Sequence, residues 1–319
     1  MEGMGIKGKK ILVTGGAGFI GSHLVKRLAK LKAEVLVIDI RIDPKSYFAT
    51  NQLRKKCKFS FVDIRNKKAL QVFFAKNKID YIFHLAAEPI VERVFDNPYL
   101  AFETNVMGMI NILEEVRKSK KIKGVIIASS DKAYGKLSKY RYIETDPLRG
   151  DHPYDASKSC MDIACQTYYK TYGTPIAITR FGNVYGEGDV NLSRIIPGIC
   201  ETVIKKTTLR IRSDGTYMRD YLYVEDVVDG YIFLLENFNK CEGEAFNFSS
   251  KDSFSVINLI KIAEKILKTK IRYKILNTAK NEIPYQHLDD SKIRKLSWKN
   301  NYSLELTLPK IKEWYRNIL

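Results

Sequence analysis

The sequence predicts an α/β fold, a doubly wound parallel sheet with a smaller C-terminal α/β lobe. Short apolar strands alternate with helical stretches along the first 180 residues, and this alternation is typical of a parallel sheet with right-handed crossovers. A glycine-rich turn joins the first strand to the first helix, and after Arg180 the elements become shorter. We therefore expect two units, residues 1–180 and residues 181–319, with the second partly interleaved with the sheet.

The first strand, Lys10–Thr14, runs into the sequence GGAGFIG at residues 15–21, and a helical pattern follows. Glycines permit a tight turn and let backbone N–H groups approach a pyrophosphate at the helix N-terminus. A second strand, Glu34–Ile38, ends in Asp39, about 20 residues past the glycines, where a carboxylate binds a ribose 2′-hydroxyl. This context predicts a Rossmann-type dinucleotide site. Asp39 favours NAD over NADP because it repels a 2′-phosphate, and Arg41 nearby weakens that preference.

The next strands also end in candidate binding residues. Strand patterns at 58–62, 79–84 and 125–128 lead into Asp63, the segment Leu85–Glu88, and Ser129 with Ser130. In open α/β sheets, ligands bind outside the carboxyl ends of the strands. We therefore expect these segments and the glycine turn to share one edge of the sheet. A long amphipathic helix is predicted at Pro98–Lys118.

A later helix carries Tyr154 and Lys158, which are four residues apart and therefore lie on one face. An ammonium beside a phenol favours the phenolate, so we expect Lys158 to lower the pKa of Tyr154 and make it a usable general base. Taken alone, this pair is better interpreted as two solvent-exposed side chains on a helix. The segment SSDKAYG at residues 129–135 precedes it, and its hydroxyls, carboxylate and amine favour a catalytic interpretation.

The second half contains shorter elements and few local motifs. A Gly-rich loop is predicted at Phe181–Val190, and Arg219, Asp220 and Tyr221 precede a helix that begins near Val224. The other predicted elements are strands near Leu209–Arg212 and Ala245–Phe248, the strand Ile176–Arg180 before the loop, and helices at Arg194–Lys205, Ser255–Leu267, Asp290–Leu296 and Leu304–Ile318.

Composition excludes several other classes of protein. The 319 residues are 45% hydrophobic and 28% charged, and their apolar runs are far shorter than the roughly 20 residues of a membrane span. The N-terminus lacks a secretory signal, and the five cysteines contain no CxxC pair, so we expect a reduced, cytoplasmic protein without a metal site. The net charge of +18 is spread along the chain. It indicates an anionic substrate rather than nucleic acid.

Several motifs occur in an order that resembles one known family. They are TGGAGFIGSHL, HLAA, TNVMG, YDASK, RFGNVYG and GTYMRDYLYVEDV, between about Lys10 and Trp298. Together they resemble the extended short-chain dehydrogenases/reductases that act on nucleotide-sugars. The resemblance implies an NAD-binding Rossmann domain at 1–180 and a nucleotide-sugar-binding lobe at 181–319. It also implies a nucleotide-diphosphate sugar as substrate and a homodimer that pairs through a four-helix bundle.

Within this family, Ser130, Asp131 and Lys132 favour one reaction over another. The trio resembles that of CDP-glucose 4,6-dehydratases, whereas 4-epimerases tend to carry small, non-acidic residues there. The C-terminal sequence GEAFNFSSKDSFSV also resembles epimerases. We therefore predict a 4,6-dehydratase, with a UDP-glucose-type 4-epimerase as the alternative. A non-catalytic dinucleotide-binding protein is a more distant one, which Tyr154 and Lys158 disfavour.

The resemblance assigns roles to individual residues. Tyr154 would remove the 4-hydroxyl proton, Ser130 would hydrogen-bond the developing 4-oxygen, and Lys158 would hold the nicotinamide ribose. A desolvated Lys132 would take the C5 proton, and a protonated Asp131 would protonate the departing C6 hydroxyl; the competing interpretation of these two is a surface ion pair in a turn. The predicted cofactor-binding residues are Gly15, Gly18, Phe19, Ile20, Gly21, Asp39, Asp63, Ile64, Leu85, Ala86, Ala87, Asn105, Tyr154 and Lys158. The predicted substrate-binding residues are Glu88, Asn183, Arg194 and Arg219, while Tyr134 and Tyr185 are predicted walls of the pocket.

Overall fold

The structure, a computed structural model, describes residues 5–250, 252–278, 283 and 285–319. Its strands are β1 (Lys10–Thr14), β2 (Glu34–Asp39), β3 (Lys58–Phe61), β4 (Tyr81–His84), β5 (Gly124–Ala128), β6 (Ile176–Phe181), β7 (Asn183–Tyr185), β8 (Leu209–Ile211), β9 (Met218–Tyr223), β10 (Ala245–Phe248), β11 (Ser253–Ser255), β12 (Tyr273–Ile275) and β13 (Tyr285–Gln286).

The helices follow the same alternation. They are α1 (Phe19–Lys30), α2 (Tyr47–Thr50), α3 (Lys67–Lys76), α4 (Val91–Asp96), α5 (Pro98–Ala101), α6 (Met109–Lys118), α7 (Pro153–Tyr172), α8 (Ile195–Lys205), α9 (Val224–Glu236), α10 (Phe238–Cys241), α11 (Val256–Leu267), α12 (Ser291–Lys295) and α13 (Leu304–Arg316). Two 3₁₀ turns lie at Leu53–Lys56 and Asp131–Tyr134, and a π-helical segment lies at Phe102–Gly108. None of the helices within the described ranges has the length and apolar character that a membrane span requires.

Seven of the strands form one sheet in the order β10-β6-β5-β4-β1-β2-β3, and every neighbouring pair in it is parallel. The predicted doubly wound fold is therefore confirmed. Side chains of a strand alternate between the two faces, so Ile11 and Val13 pack on one face and Leu12 on the other. Helices α1 and α9 cover the first face, and α3, α6 and α7 cover the second. Strand order reverses between β1 and β4, which is where such sheets bind ligands.

The long helix predicted at Pro98–Lys118 is continuous but changes its winding. Its α-helical ends, α5 and α6, flank the π-helical segment Phe102–Gly108. Gly108 lies against Ile64: a Cβ on this glycine would be 2.6 Å from the Ile64 Cδ1 atom. π-Helical segments occur frequently at functional sites, and this one carries Asn105.

The second half of the chain is interleaved with the first. Strand β10 pairs with β6 and so extends the central sheet, as the sequence predicts, while the proposed division at residue 180 stays a prediction. A second sheet forms around β9, which pairs with β7, β11 and β13. One sequence prediction is wrong here: the Gly-rich stretch predicted as a loop contains strand β7, which forms because it pairs with β9 far along the chain. Arg219 to Tyr221 lie inside β9, and a helix begins at Val224 after them, as predicted.

A buried ion pair fixes α7 to the sheet. Arg180 in β6 donates two hydrogen bonds of 2.8 Å to the carboxylate of Asp162 in α7. The same guanidinium donates to the Tyr134 hydroxyl at 2.8 Å, and that hydroxyl donates to Asn247 Oδ1 at 2.7 Å. Tyr134 therefore belongs to the core and does not form a wall of the pocket, contrary to the prediction. Removing either partner of such a pair would leave an uncompensated buried charge.

Candidate active site

A cleft of about 1590 Å³ opens at the carboxyl ends of the central strands. Pockets for one small ligand usually enclose about 300–1,000 Å³, so this cleft has room for two ligands side by side. It brings together almost every predicted site residue. Those that line it are Gly15, Gly18, Phe19, Ile20, Gly21, Asp39, Asp63, Ile64, Leu85, Ala86, Ala87, Glu88, Ser130, Asp131, Lys132, Tyr154, Lys158, Asn183, Arg194 and Arg219.

The glycine turn forms a close-packed cradle at one end of the cleft. Gly15 has a φ of +68°, and a Cβ there would lie 2.8 Å from the Cα atom of Ala86. A Cβ on Gly21 would lie 2.2 Å from the carbonyl oxygen of Gly15. Helix α1 starts directly after Gly18 and has no acidic residue in its first turn. Its free N–H groups and positive dipole end therefore fit a pyrophosphate.

Asp39 stands at the end of β2 beside this cradle. Its carboxylate accepts hydrogen bonds from the backbone N–H of Ala17 at 3.0 Å and of Ile40 at 2.8 Å. Burial raises the pKa of Asp39, and the backbone hydrogen bonds and the nearby Arg41 oppose that rise. A carboxylate held in this way fits a ribose diol. The cradle and Asp39 together fit a dinucleotide such as NAD.

Asp63 lines the cleft farther along the same edge. Its carboxylate receives hydrogen bonds from the Arg65 guanidinium, the shortest at 2.6 Å, and these lower the pKa of Asp63. Arg65 also donates to Glu103 at 3.1 Å. Sequence reasoning did not single out Arg65, although an arginine two residues after Asp63 is a visible signal.

Lys158 and Tyr154 lie in the middle of the cleft on α7. The Lys158 ammonium donates to the carbonyl oxygen of Ala128 at 3.0 Å, and burial lowers the pKa of Lys158 to about 8. Burial raises the pKa of Tyr154; Arg194 and a hydrogen bond with Ser130 oppose this, whereas Asp131 adds to it. The expectation that Lys158 lowers the pKa of Tyr154 is therefore wrong for the protein alone, because the ammonium faces the end of β5.

Ser130, Asp131 and Lys132 open the 3₁₀ turn that follows β5. Ser130 caps this turn by accepting from the Lys132 N–H at 3.2 Å. Asp131 is only 3% exposed. Its two oxygens accept hydrogen bonds from Ser130 Oγ at 2.9 Å and from Gln286 Nε2 at 3.0 Å. Asp131 is therefore not part of a surface ion pair, while Lys132 is half-buried rather than fully desolvated.

Burial raises the pKa of Asp131. The positive charges of Lys132 and Arg219 and the hydrogen bond from Ser130 oppose this rise, and the neighbouring Asp220 adds to it. A carboxyl group with a raised pKa keeps its proton more readily and is suited to a general acid.

Asn105 does not line the cleft but supports its wall from behind. Its side chain accepts from the Glu88 N–H at 2.8 Å and donates to Ser157 Oγ in α7 at 3.0 Å. It thus ties the segment after β4 to the helix that carries Tyr154. The prediction that Asn105 binds the cofactor is not supported, because Asn105 does not line the cleft; its contacts hold the backbone of the active site instead.

On the opposite side of the cleft, polar groups suited to an anion converge. The Nδ2 atom of Asn183 is buried and has no hydrogen-bond partner among the described residues, so it can donate to a ligand. Arg194 pairs with Asp189 at 3.1 Å, and Arg219 lies over the Tyr217 ring. Arg forks bind phosphate oxygens bidentately, so this side fits a diphosphate.

Sequence reasoning missed three further residues that line the cleft. Arg93 forms an ion pair of 3.2 Å with Glu88. Its positive charge, five residues after the carboxylate of Glu88, was a signal for this pair. Asp155 directly follows Tyr154, so its place in the YDASK motif was a signal. Gln286 lies 155 positions from Asp131, and no local pattern indicates it. Tyr185 lines the cleft as predicted, and no group of His, Cys, Asp or Glu within the described residues could hold a metal ion.

Comparisons with known proteins agree with this geometry. The sequence model of the NAD dependent epimerase/dehydratase family matches residues 11–248. A UDP-glucuronate 4-epimerase of Thermodesulfobacterium geofontis is 31% identical over 95% of this chain and 95% of its own. The dTDP-glucose 4,6-dehydratase from Bacillus anthracis, solved in complex with NAD, superposes with a TM-score of 0.85 at 26% identity, covering 97% of each chain.

One longer relative is matched over only part of its length. A trifunctional UDP-glucose 4,6-dehydratase/UDP-4-keto-6-deoxy-D-glucose 3,5-epimerase/UDP-4-keto-L-rhamnose-reductase of Arabidopsis thaliana is 30% identical over 99% of this chain. The chain spans about half of that relative, 48% of its length. Relatives with both kinds of activity are therefore similar to this chain at nearly the same identity.

Proposed function

Because this chain belongs to the NAD-dependent epimerase/dehydratase family, we propose that it is a nucleotide-sugar 4,6-dehydratase. The coarser predictions are confirmed: it is an NAD-dependent enzyme of the nucleotide-sugar dehydratases and epimerases. The proposed reaction removes water across C5 and C6 of the hexose and leaves a 4-keto-6-deoxy sugar on the nucleoside diphosphate.

The proposed cofactor site is the glycine cradle with Asp39. Gly15, Gly18 and Gly21 would hold the pyrophosphate at the start of α1, and Asp39 would bind the adenosine ribose. When bound, NAD supplies the oxidant for C4 and returns the same two electrons to C6, so that the net reaction is redox-neutral.

The first proton transfer in the proposed reaction belongs to Tyr154. Its phenolate form would take the proton of the 4-hydroxyl as C4 is oxidised, and Ser130, which is within hydrogen-bonding reach of Tyr154, would stabilise the charge that develops on the 4-oxygen. Burial raises the pKa of Tyr154 in the protein alone. The Tyr154 phenol therefore loses its own proton readily only when a positive charge lies close to it. Lys158 and the bound cofactor together would supply that charge.

The elimination needs a base at C5 and an acid at C6. A C4 ketone makes the C5 proton acidic, and the Lys132 side chain, in its uncharged amine form, would accept that proton. The electron pair of the C5–H bond then forms the C5–C6 double bond while the C6–O bond breaks, and the Lys132 ammonium would return the proton to C5 when C6 is reduced. Asp131 would give its proton to the departing hydroxyl, so that water leaves and a carboxylate remains.

One observation carries the choice of reaction, namely the buried carboxyl group of Asp131 in the cleft between Ser130 and Gln286. A 4-epimerase needs no acid at this place, since it only returns the electrons to the other face of C4. The alternative reaction, 4-epimerisation, is supported by the 31% identity to a protein described as a 4-epimerase.

A mass-resolved screen of nucleoside diphosphate hexoses tests the proposal. We expect the purified chain with NAD to convert at least one CDP-, dTDP-, UDP- or GDP-hexose into a product that has lost one water from the sugar. Tyr154→Phe should abolish that conversion. A product of unchanged mass would contradict the proposal and establish the epimerase. Conversion that is unaffected by Tyr154→Phe would contradict the assigned base.

We also propose that two copies pair through α7 and the long helix that contains α5 and α6. Large apolar side chains on these helices are exposed in the single chain, among them Tyr99 at 73%, Met107 at 51% and Ile163 at 50%. Exposed apolar surface on neighbouring helices is typical of a protein–protein interface, and four such helices from two copies would form a bundle.

A further inference from the structure

The side chain of Gln286 reaches the proposed general acid from the C-terminal part of the chain. Gln286 ends β13, is 1% exposed and lines the cleft. Its Nε2 atom donates to Asp131 Oδ2 at 3.0 Å, while Ser130 donates to Oδ1. Both oxygens of the Asp131 carboxyl group are therefore held by the protein.

The segment that follows Gln286 is held by hydrogen bonds to β9 and to Tyr142. The buried Asp220 in β9 accepts from the Leu288 N–H at 2.9 Å and bonds the His287 ring at 2.5 Å. Tyr142 adds two backbone hydrogen bonds, donating to the His287 carbonyl at 2.9 Å and accepting from the Asp289 N–H at 2.8 Å. A side chain anchored in this way can hold its partner within the small tolerance that catalysis requires.

The other end of the same amide is unsatisfied. Gln286 Oε1 is buried and has no hydrogen-bond partner among the described residues. Leaving a buried acceptor unpaired costs free energy. We therefore expect Gln286 Oε1 to gain a hydrogen-bond partner during the reaction. The amide has a donor and an acceptor, and a half-turn about its terminal bond exchanges their places.

We propose that Gln286 is a positioning residue for Asp131, an inference that rests on the dehydratase function proposed above. Its Nε2 atom donates to Oδ2 whether Asp131 is protonated or ionised, so the same orientation is kept before and after proton transfer, and an acid proton on Oδ1 can face the C6 oxygen. During elimination the proton passes from Asp131 to the C6 oxygen and the C6–O bond breaks. The amide then stabilises the carboxylate that remains.

The charges around Asp131 do not provide this orientation. Lys132 and Arg219 attract the carboxylate and Asp220 repels it, but charge–charge interactions have little directional preference. The two hydrogen bonds to its oxygens do have one. Ser130 is also assigned to the 4-oxygen of the substrate, which leaves Gln286 as the contact dedicated to Asp131 among those described.

The test uses Gln286→Leu, which keeps a similar volume and removes both ends of the amide. We expect kcat for water loss to fall about ten- to a hundredfold, because the acid is misoriented. The KM for the nucleotide-sugar and the rate of C4 oxidation, followed by the absorbance of the reduced cofactor, should be unchanged. Tyr285→Phe, an exposed neighbour in β13, is the matched control and should behave like the original chain.

Two further measurements separate positioning from a structural role. A substrate with fluorine in place of the C6 hydroxyl needs little acid assistance, since fluoride is a much better leaving group than hydroxide; Gln286→Leu should eliminate fluoride at nearly the original rate. Combining Gln286→Leu with Asp131→Asn should slow water loss no more than Asp131→Asn alone. Equal slowing on both substrates, or additive effects, would overturn the proposal.

An infrared titration tests the contact without any turnover. The carboxyl band of Asp131 is identified by its absence in Asp131→Asn. Gln286→Leu should raise the pKa of Asp131, because the carboxylate loses a donor. An unchanged titration would refute the role of Gln286. If the screen shows epimerisation instead of water loss, the dehydratase proposal fails, and the titration alone then decides whether Gln286 orients Asp131.

Discussion

Replacing Asp131 by asparagine tests the assigned reaction most directly. The two side chains have the same shape, and asparagine can still accept the hydrogen bond from Ser130 Oγ, which is 2.9 Å long in the structure. The Gln286 amide, now at 3.0 Å from Asp131, can turn and accept from the new amide N–H. We therefore expect the free energy of unfolding to stay the same or to rise by less than about 1 kcal/mol.

The expected loss of rate is much larger than this change in stability. An asparagine amide cannot give up a proton to the C6 hydroxyl, so hydroxide would have to leave unassisted. General acid catalysis typically contributes about 10²- to 10⁴-fold, which corresponds to about 3–5 kcal/mol of activation free energy. Oxidation at C4 does not use this proton, so its rate should be unchanged.

A single-turnover experiment separates the two steps of this prediction. With Asp131→Asn, absorbance of the reduced cofactor should appear at the original rate and then persist, while mass spectrometry shows water loss slowed by the factor above. Water loss at the original rate would refute the assignment of Asp131 as the acid. Loss of both steps together would show that Asp131 acts on binding or folding instead.

Three further predictions concern stability and assembly. Asp162→Asn leaves the buried Arg180 uncompensated and should lower the free energy of unfolding by about 3–5 kcal/mol in urea. Burial raises the pKa of Asp155 to about 6, so above that pH its ionisation opposes folding. Asp155→Asn should therefore stabilise the chain by up to about 3 kcal/mol at about pH 8 and hardly at about pH 4; equal effects at both values would contradict this. Ile163→Glu should give monomers in light scattering, whereas Leu306→Glu, an exposed apolar residue on α13, should not.

The nucleotide-binding half of the chain could be predicted because its signals are local. The first strand, the glycine turn, the first helix and Asp39 lie within 30 residues of one another, and each follows from backbone geometry or charge. The same holds for the parallel sheet, whose strands are buried on both faces and read as continuous apolar runs. Knowing that ligands bind at the carboxyl ends of strands then placed Asp63 and Ser130 at the cleft.

Features that depend on partners far along the chain could not be predicted. Strands β11, β12 and β13 are two or three residues long, too short for a periodic pattern, and they form only because β8 and β9 offer them edges. The π-helical winding at Phe102–Gly108 has no sequence signal of its own. It occurs where Asn105 reaches Glu88 and Ser157 and where Gly108 meets Ile64.

The error about Tyr154 has a physical origin. Helical spacing correctly places Tyr154 and Lys158 on one face, but it does not show where the end of a long lysine side chain goes. The Lys158 ammonium donates its hydrogen bond to the carbonyl oxygen of Ala128. The positive charge of Arg194 lowers the pKa of Tyr154 by less than burial raises it. The catalytic state of the pair therefore requires the ligands as well as the protein.

Asp131 could in principle be a purely structural residue, since it joins the 3₁₀ turn to β13 through two hydrogen bonds. Asparagine would join the two elements equally well and would destabilise the fold less. It has the same shape and can make both contacts, and it has no carboxyl group that could ionise inside the protein. Burial raises the pKa of Asp131, so the carboxyl group destabilises the fold wherever it ionises. A buried acid in a ligand-sized cleft, kept at the expense of stability, is best explained by a reaction that needs its proton.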